Sequence, residues 1–340
     1  MDEIITYKNS YAHRRFGRFN ELFIFFIFFI ILLLNSLFLT QFSPDFHGYL
    51  NLFHQSHYNF LAYEPTFYLI VYLNNNFFNG YWFTFYLFYE SFILFLFIVA
   101  IKKYSENIFL SFLIFSIVFL PLLTITQIRQ GVSVGLFIIA IEDIVNRKPI
   151  KYYFKIILAI LFHYSSIILI PLYFIKPNKI NKLFYFLLPL IGIFIYKFLL
   201  NINTITFLNK LMPIFIQARM NSYILFTKKH INGYNKINLL SFYHTTLFLI
   251  YLVSIFIIDM KNKTEIVWVK ILGIGFFFWF SFANIPILSF RINNFFFPSL
   301  IFILPYLLKY IKQKQFFLSL LILYCLLLYS DFYIFHKFFH

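Results

Sequence analysis

Charge is scarce in this chain. Only 12% of its 340 residues are Asp, Glu, Lys or Arg, about half the share of a soluble domain. Carboxylates are scarcer still, with 12 against 28 basic residues. There are 9 Gly and 3 Trp, and Cys325 is the single cysteine, inside an apolar run, so no disulfide framework can form. The sequence has no glycine-rich phosphate loop, no His-Glu-x-x-His, no cysteine cluster and no Gly-x-Ser-x-Gly element. Composition therefore excludes a soluble domain and a disordered chain, and the familiar nucleotide, zinc and serine-hydrolase signatures are missing.

What is present is apolar. The chain is 61% hydrophobic and 25% aromatic, with 55 Phe and 26 Tyr. Its mean hydropathy is +0.80. The richness in Phe, Tyr, Asn, Ile and Lys is what AT-rich coding would give, so it is no sign of sugar stacking by itself. The expected fold class is all-α, a polytopic integral membrane helix bundle forming one domain over 1–340. At about 20 residues per crossing, the length accommodates about 10–11 membrane segments. The net charge of +16 would suggest nucleic acid in a soluble protein. Here the cations cluster between apolar runs, so the bilayer is the partner and nucleic acid is not.

Lys8, Arg14, Arg15 and Arg18 precede the apolar run Leu22 to Thr40, which reads as an uncleaved first helix with a cytoplasmic N-terminus. No Lys or Arg occurs from Phe19 to Ile101. Residues 41–80 therefore read as an outer loop, with Pro65 to Phe78 apolar enough to lie in the interface or dip into the bilayer. Further spans are expected at 81–101, 108–124, 126–144, 184–202, 241–258, 265–285, 292–308 and 316–334. Segment 152–175 conflicts with this alternation. Crossing once, it puts Lys176, Lys179 and Lys182 outside, whereas counting back from Lys309, Lys312 and Lys314 puts them inside. Both readings hold if it enters and leaves on one side as two short helices meeting near His163, broken at a polar cavity. An error in the span assignment is the alternative. Residues 203–240 read as a second outer loop. Its cations oppose the positive-inside rule, through either an anionic substrate or the indifference of long loops to charge.

Arginine is informative because the chain has seven, against 21 Lys. Arg14, Arg15, Arg18 and Arg147 fall in cytoplasmic segments. Arg129, Arg219 and Arg291 fall on the outer side, where a planar fork suits phosphate oxygens; snorkelling to headgroups is the plainer alternative. His163, among apolar neighbours, is a candidate base or hydroxyl-binding group, or else a packing histidine bonded to Ser165 or Ser166. Asp45 and Glu64 are candidate catalytic carboxylates of the first outer loop, although Glu64 before Pro65 also suits a helix start. Glu90 is expected to be structural, paired with a cation. His54 and His57 have the spacing to share a metal, but no third ligand is evident, so no metal and no cofactor is expected.

The run Gln127-Ile128-Arg129-Gln130-Gly131 resembles the Arg-Gln-Gly signature of the EpsG family. Asp45-Phe46-His47-Gly48-Tyr49 is similar to its early Asp-aromatic-x-x-Tyr element, and Glu64-Pro65-Thr66-Phe67 to its Glu-Pro-x-aromatic element. Phe162-His163-Tyr164-Ser165 and Arg291-Ile292-Asn293-Asn294-Phe295 resemble two later elements. Ser133 departs from the pattern, standing where a small residue such as alanine is common. The resemblance covers about residues 45–300 and leaves 203–240 unmatched.

It implies a Wzy-like glycosyltransferase that polymerises undecaprenyl-diphosphate-linked oligosaccharide repeats into O-antigen, capsule or exopolysaccharide. The site would lie at the outer face of the bacterial inner membrane. Donor and acceptor would both be lipid-linked, and a chain-length regulator and a flippase would be partners. Catalytic roles would fall to His163, Glu64 and Asp45. Substrate contacts would fall to Arg129, Gln130, Arg219, Arg291, Asn293 and Tyr49. A glycan ligase, a flippase or transporter, and a membrane O-acyltransferase remain the alternatives.

Overall fold

The computed structural model describes residues 25–43, 45–55, 64–211, 214–228, 237–239, 241–256 and 262–330. The basic N-terminal flank, His57, Lys229, His230 and Lys236 lie outside the described residues. All regular structure described is helical, as the composition requires. Four helical stretches, Trp82–Tyr104, Lys182–Leu199, Lys263–Ser281 and Pro286–Leu307, are long and apolar enough to cross a membrane, and shorter apolar helices accompany them.

In chain order, α1 (Phe25–Thr40) leads into two short helices, α2 (Phe46–Gln55) and α3 (Pro65–Phe77), and then the long α4 (Trp82–Tyr104). Asn79 and Gly80, with φ of 53° and 68°, make the tight turn between α3 and α4. Asn74 locks it, donating to the Tyr81 carbonyl at 2.9 Å and accepting from Thr84 at 2.9 Å. The expected interfacial stretch 65–78 is thus a helix folded back against α4, with Phe67, Tyr68, Ile70 and Val71 buried.

Helix α5 (Ile108–Ile114) starts on Asn107, which accepts from the Leu110 N–H at 3.1 Å. It widens into π-turns at Phe115–Phe119 and Pro121–Thr126 before α6 (Ile128–Val145). Such wide turns often accompany functional sites. A Cβ on Gly131 would stand 2.1 Å from the Leu123 carbonyl oxygen, and one on Gly135 2.8 Å from the Leu96 Cβ. The glycine of the Arg-Gln-Gly motif therefore lets α6 approach the π-turn, and Gly135 four residues on lets it approach α4, a small-x-x-x-small contact.

Helix α7 (Pro149–Phe162) ends at His163, whose φ of −155° and ψ of 114° are extended. A 3-10 segment, Tyr164–Phe174, then returns alongside it. Tyr152 donates to the Leu169 carbonyl at 2.6 Å, and the rings of Tyr152 and Tyr153 lie 5.4 and 5.5 Å from that of Tyr173. Arg147 donates to the Tyr173 carbonyl at 3.0 Å. These contacts make 149–174 a hairpin with both ends on one side and His163 at its tip. The two-helix reading of this segment answers the conflict in the charge pattern.

The chain continues through α8 (Lys182–Phe194, with a π-turn to Leu199), α9 (Ile202–Lys210), α10 (Ile214–Lys228), α11 (Phe242–Phe256) and α12 (Lys263–Ser281). It finishes in α13 (Pro286–Asn293), a 3-10 turn at Phe297–Ser299, α14 (Leu300–Leu307) and α15 (Lys314–Ser330). The last long apolar stretch begins at Pro286, earlier than the expected 292, because proline at the first helical position is well placed to start it. Helices α9 and α10 occupy the second expected outer loop. They form a small cluster of their own in which Ile205 and Ile224 pack on Ile285.

One end of the bundle gathers the lysines. Lys103 pairs with Glu142, Lys155 with Asp143 at 2.5 Å and Lys309 with Glu106 at 2.6 Å. Lys270 donates to the carbonyls of Lys176 and Asn178 at 2.8 and 3.0 Å. His163 and the start of α6 lie toward the opposite end.

Candidate functional site

Helix α6 begins abruptly after the π-turn, with Gln127 in a non-helical conformation. Arg129 and Gln130 therefore lie in its first turn. Helical side chains lean toward the N-terminus, so both project from this end of the helix. A cation here opposes the helix dipole and needs a counter-charge. Glu64 supplies it: Arg129 donates to Glu64 Oε2.

Glu64 precedes Pro65 at the start of α3 but does not cap that helix with its side chain. Its other oxygen, Oε1, lies 3.1 Å from His163 Nδ1 and 3.4 Å from the Tyr164 N–H. The carboxylate is fully buried and joins the start of α6 to the tip of the hairpin. A carboxylate already paired with a guanidinium only accepts, so His163 carries its hydrogen on Nδ1. His163 Nε2 has no hydrogen-bond partner among the described residues. The partner of His163 is thus Glu64. Ser165 and Ser166, the expected packing partners, do not bond its ring; Ser166 donates instead to the Ala159 carbonyl at 3.2 Å. That carbonyl also accepts from Ser133 at 2.8 Å, so the serine that departs from the family pattern helps to hold the hairpin.

A cavity of about 220 Å³ opens beside this cluster, lined by Asp45, Tyr49, Gln127, Arg129, Gln130, His163 and Arg291 together with Gly48 and Leu52. The Arg129 guanidinium carbon sits 5.4 Å from the Tyr49 ring centre and 5.5 Å from that of Phe67, within cation–π range. Arg291 comes from the last turn of α13, where the dipole favours a cation. It donates to the Tyr223 hydroxyl at 2.8 Å. Gln130 donates to the Arg291 backbone carbonyl at 2.5 Å, and Asn294 to Gln127 at 2.8 Å. The Arg-Gln-Gly turn and the Arg291 segment, 161 residues apart in sequence, are thereby stitched together.

Asp45 is the carboxylate on the cavity wall. Among the described residues no ion pair within 4 Å joins it to either arginine. Burial pushes its carboxyl above the ordinary carboxylate value, and Arg291 and then Arg129 pull it back down.

Six of the nine expected site residues, Asp45, Tyr49, Arg129, Gln130, His163 and Arg291, thus line one cavity, and Glu64 stands directly behind it. Two do not join them. Asn293 is buried away from the wall, with neither side-chain polar atom hydrogen-bonded among the described residues. It lies on the same helix as Arg291, whose own side chain lines the cavity. Arg219 falls on α10, and its side chain lies outside the described residues. Among the described residues no ion pair joins Glu90 to a cation. Glu90 accepts from Ser36 at 2.5 Å and Thr40 at 2.6 Å, so hydroxyls replace the expected partner. Sequence reasoning missed Gln127 and Tyr223. Gln127 was visible as the residue before the motif, whereas Tyr223 lies in the stretch that resembled nothing.

Among the described residues no group of three metal-ligating side chains occurs. The site brings two guanidiniums, one of them paired with Glu64, together with one carboxylate and one imidazole. That set suits transfer chemistry with a charged leaving group. No curated protein and no solved structure matches the chain. The family model described as EpsG family matches residues 21–339, and the chain is a multi-pass membrane protein that belongs to the EpsG family.

Proposed function

We propose that this protein polymerises lipid-diphosphate-linked oligosaccharide repeats into a surface polysaccharide. The observation that carries the reading is the single cavity with Arg129 and Arg291 on its walls and Asp45 and His163 beside them. Family membership supports a polysaccharide polymerase of this general kind. The lysine-rich end supports the orientation, because the positive-inside rule keeps such an end in the cytoplasm. The cavity then opens on the outer face of the inner membrane, where lipid-linked repeats are presented.

In this reading the growing chain on undecaprenyl diphosphate is the donor, and a hydroxyl of the next lipid-linked repeat is the acceptor. The hydroxyl oxygen bonds to the anomeric carbon, the bond from that carbon to the diphosphate oxygen breaks, and undecaprenyl diphosphate leaves. Asp45 takes the hydroxyl proton, since it faces the cavity and burial makes it the stronger base. His163 Nε2 accepts a hydrogen bond from a sugar hydroxyl. Arg291, with no carboxylate within 4 Å among the described residues, meets the charge of the leaving diphosphate. Glu64 takes no proton; it is the shared partner that holds Arg129 and His163.

The test is gel analysis of surface polysaccharide after gene deletion, with complementation by wild type, Arg129→Lys, Arg291→Lys and His163→Ala. A single lipid-capped repeat in place of the ladder, rescued by wild type and not by the arginine variants, is expected. Lipid-linked repeats trapped inside the cell would mean a flippase. An intact ladder lacking an ester substituent would mean an acyltransferase.

A further inference from the structure

The two cavity arginines are held differently. Arg129 is neutralised by Glu64. Arg291 has no carboxylate within 4 Å among the described residues. It is held by the Tyr223 hydroxyl, 2.8 Å from Nη1, with its guanidinium carbon 5.4 Å from the Tyr223 ring centre. A neutral phenol fixes the fork without cancelling its charge, which is what an anion-binding guanidinium needs.

Tyr223 belongs to α10, and the pair α9 and α10 packs through Ile205 and Ile224 on Ile285. Ile285 immediately precedes α13, the helix that ends in Arg291. Asn209 donates to Asn221 at 2.8 Å and so braces α10 on α9. The helix pair therefore meets the bundle at the segment that carries Arg291, the cavity arginine with no carboxylate within 4 Å among the described residues. Three Arg291 groups are fixed: the backbone carbonyl by Gln130, one guanidinium nitrogen by Tyr223 and the guanidinium plane by the Tyr223 ring.

We propose that Tyr223 is a positioning residue of the anion site, aiming the Arg291 guanidinium at the diphosphate of the donor lipid, and that α9–α10 is thereby a working part of the site. The inference rests on the polymerase reading. It gives the helix pair α9–α10 a role in binding the leaving group, through Arg291.

The test measures binding of undecaprenyl diphosphate to the full-length protein in lipid nanodiscs. Tyr223→Phe keeps the ring and removes the hydroxyl. It is expected to raise the Kd about 3- to 10-fold with the unliganded unfolding temperature unchanged. Arg291→Lys is expected to raise it further. The double variant should match Arg291→Lys alone, because the hydroxyl acts only through the guanidinium. This cycle decides the matter even if Tyr223→Phe weakens folding, since a folding defect would add to Arg291→Lys. Additive effects, or wild-type affinity in Tyr223→Phe, overturn the role of Tyr223 and leave the polymerase reading standing. No binding by wild type, with a polysaccharide ladder indifferent to Arg291→Lys, overturns both.

Discussion

The two ends of the bundle carry charge in opposite ways. At the lysine end, cations are many and two of their ion pairs stay half-exposed. Lys103 with Glu142 and Lys309 with Glu106 are pairs whose side chains keep about a third to two-fifths of their surface. At the cavity end charges are few, and Glu64 and Arg129 are withdrawn from solvent. Each of these partners comes from a distant part of the chain: Glu64 from α3, Arg129 from α6 and His163 from the hairpin. In the proposed orientation the lysine end faces the cytoplasm, a role for which any cation near a headgroup serves. The cavity end solves a problem of placement, for which identity and geometry both matter. Substitutions should therefore be costly at one end and cheap at the other.

The sharpest way to break that contrast is Glu64→Ala. It leaves a buried guanidinium without its counter-charge and His163 without its acceptor. A stability loss of about 3–5 kcal/mol is expected, read as a fall in the detergent-solubilised unfolding temperature, together with loss of the polysaccharide ladder. Retained stability would show that Glu64 and Arg129 are not coupled. Next is Gly131→Ala, which drives a methyl into the Leu123 carbonyl. A loss of about 1–3 kcal/mol is expected in the same assay, although no charge is touched.

Asp45→Asn sharpens the functional side. Polymerisation should fall at least about tenfold, as for removal of a general base, with unfolding unchanged. In wild type the base must be ionised. Burial raises its carboxyl above the ordinary value, so activity should be lost as pH falls through that raised value, earlier than for an exposed aspartate. A pH–rate profile checks this, and an acid limb at the ordinary carboxylate value would remove Asp45 from the role. The smallest effect belongs to the lysine end. Lys103→Ala should cost about 0.5 kcal/mol or less and leave the ladder intact, and a large effect there would collapse the comparison.

Much of the architecture was legible because a membrane enforces it. Apolar runs must be helices, lysine clusters set sidedness, and the disagreement of those two signals around 152–175 pointed to the hairpin that Tyr152, Arg147 and Tyr173 form. Candidate residues were legible too, since arginines are rare and ionisable groups inside apolar runs stand out. Their roles were not. Glu64 looked equally like a base or a helix start, and only its contacts with Arg129 and His163 make it a holder. Asn293, next but one to Arg291, looked like a site residue, but it is buried and does not line the cavity. Tyr223 gave no signal, because one tyrosine among 26 cannot be singled out by type.

The sequence by itself determined that the chain is a membrane helix bundle, where the cations cluster, which segment conflicts with a single crossing, and which few polar residues are candidates. These follow from local properties, hydropathy and charge, that bilayer solvation reads residue by residue. The tertiary structure alone decided which candidates meet. Arg129 and Arg291 share a cavity because glycines at 131 and 135 let α6 pack closely and Gln130 ties the distant Arg291 backbone to it. One arginine is ion-paired with Glu64 and the other is held by the Tyr223 hydroxyl. That division depends on ångström-scale contacts between segments 65 and 68 residues apart, a distance over which sequence pattern carries no information about geometry.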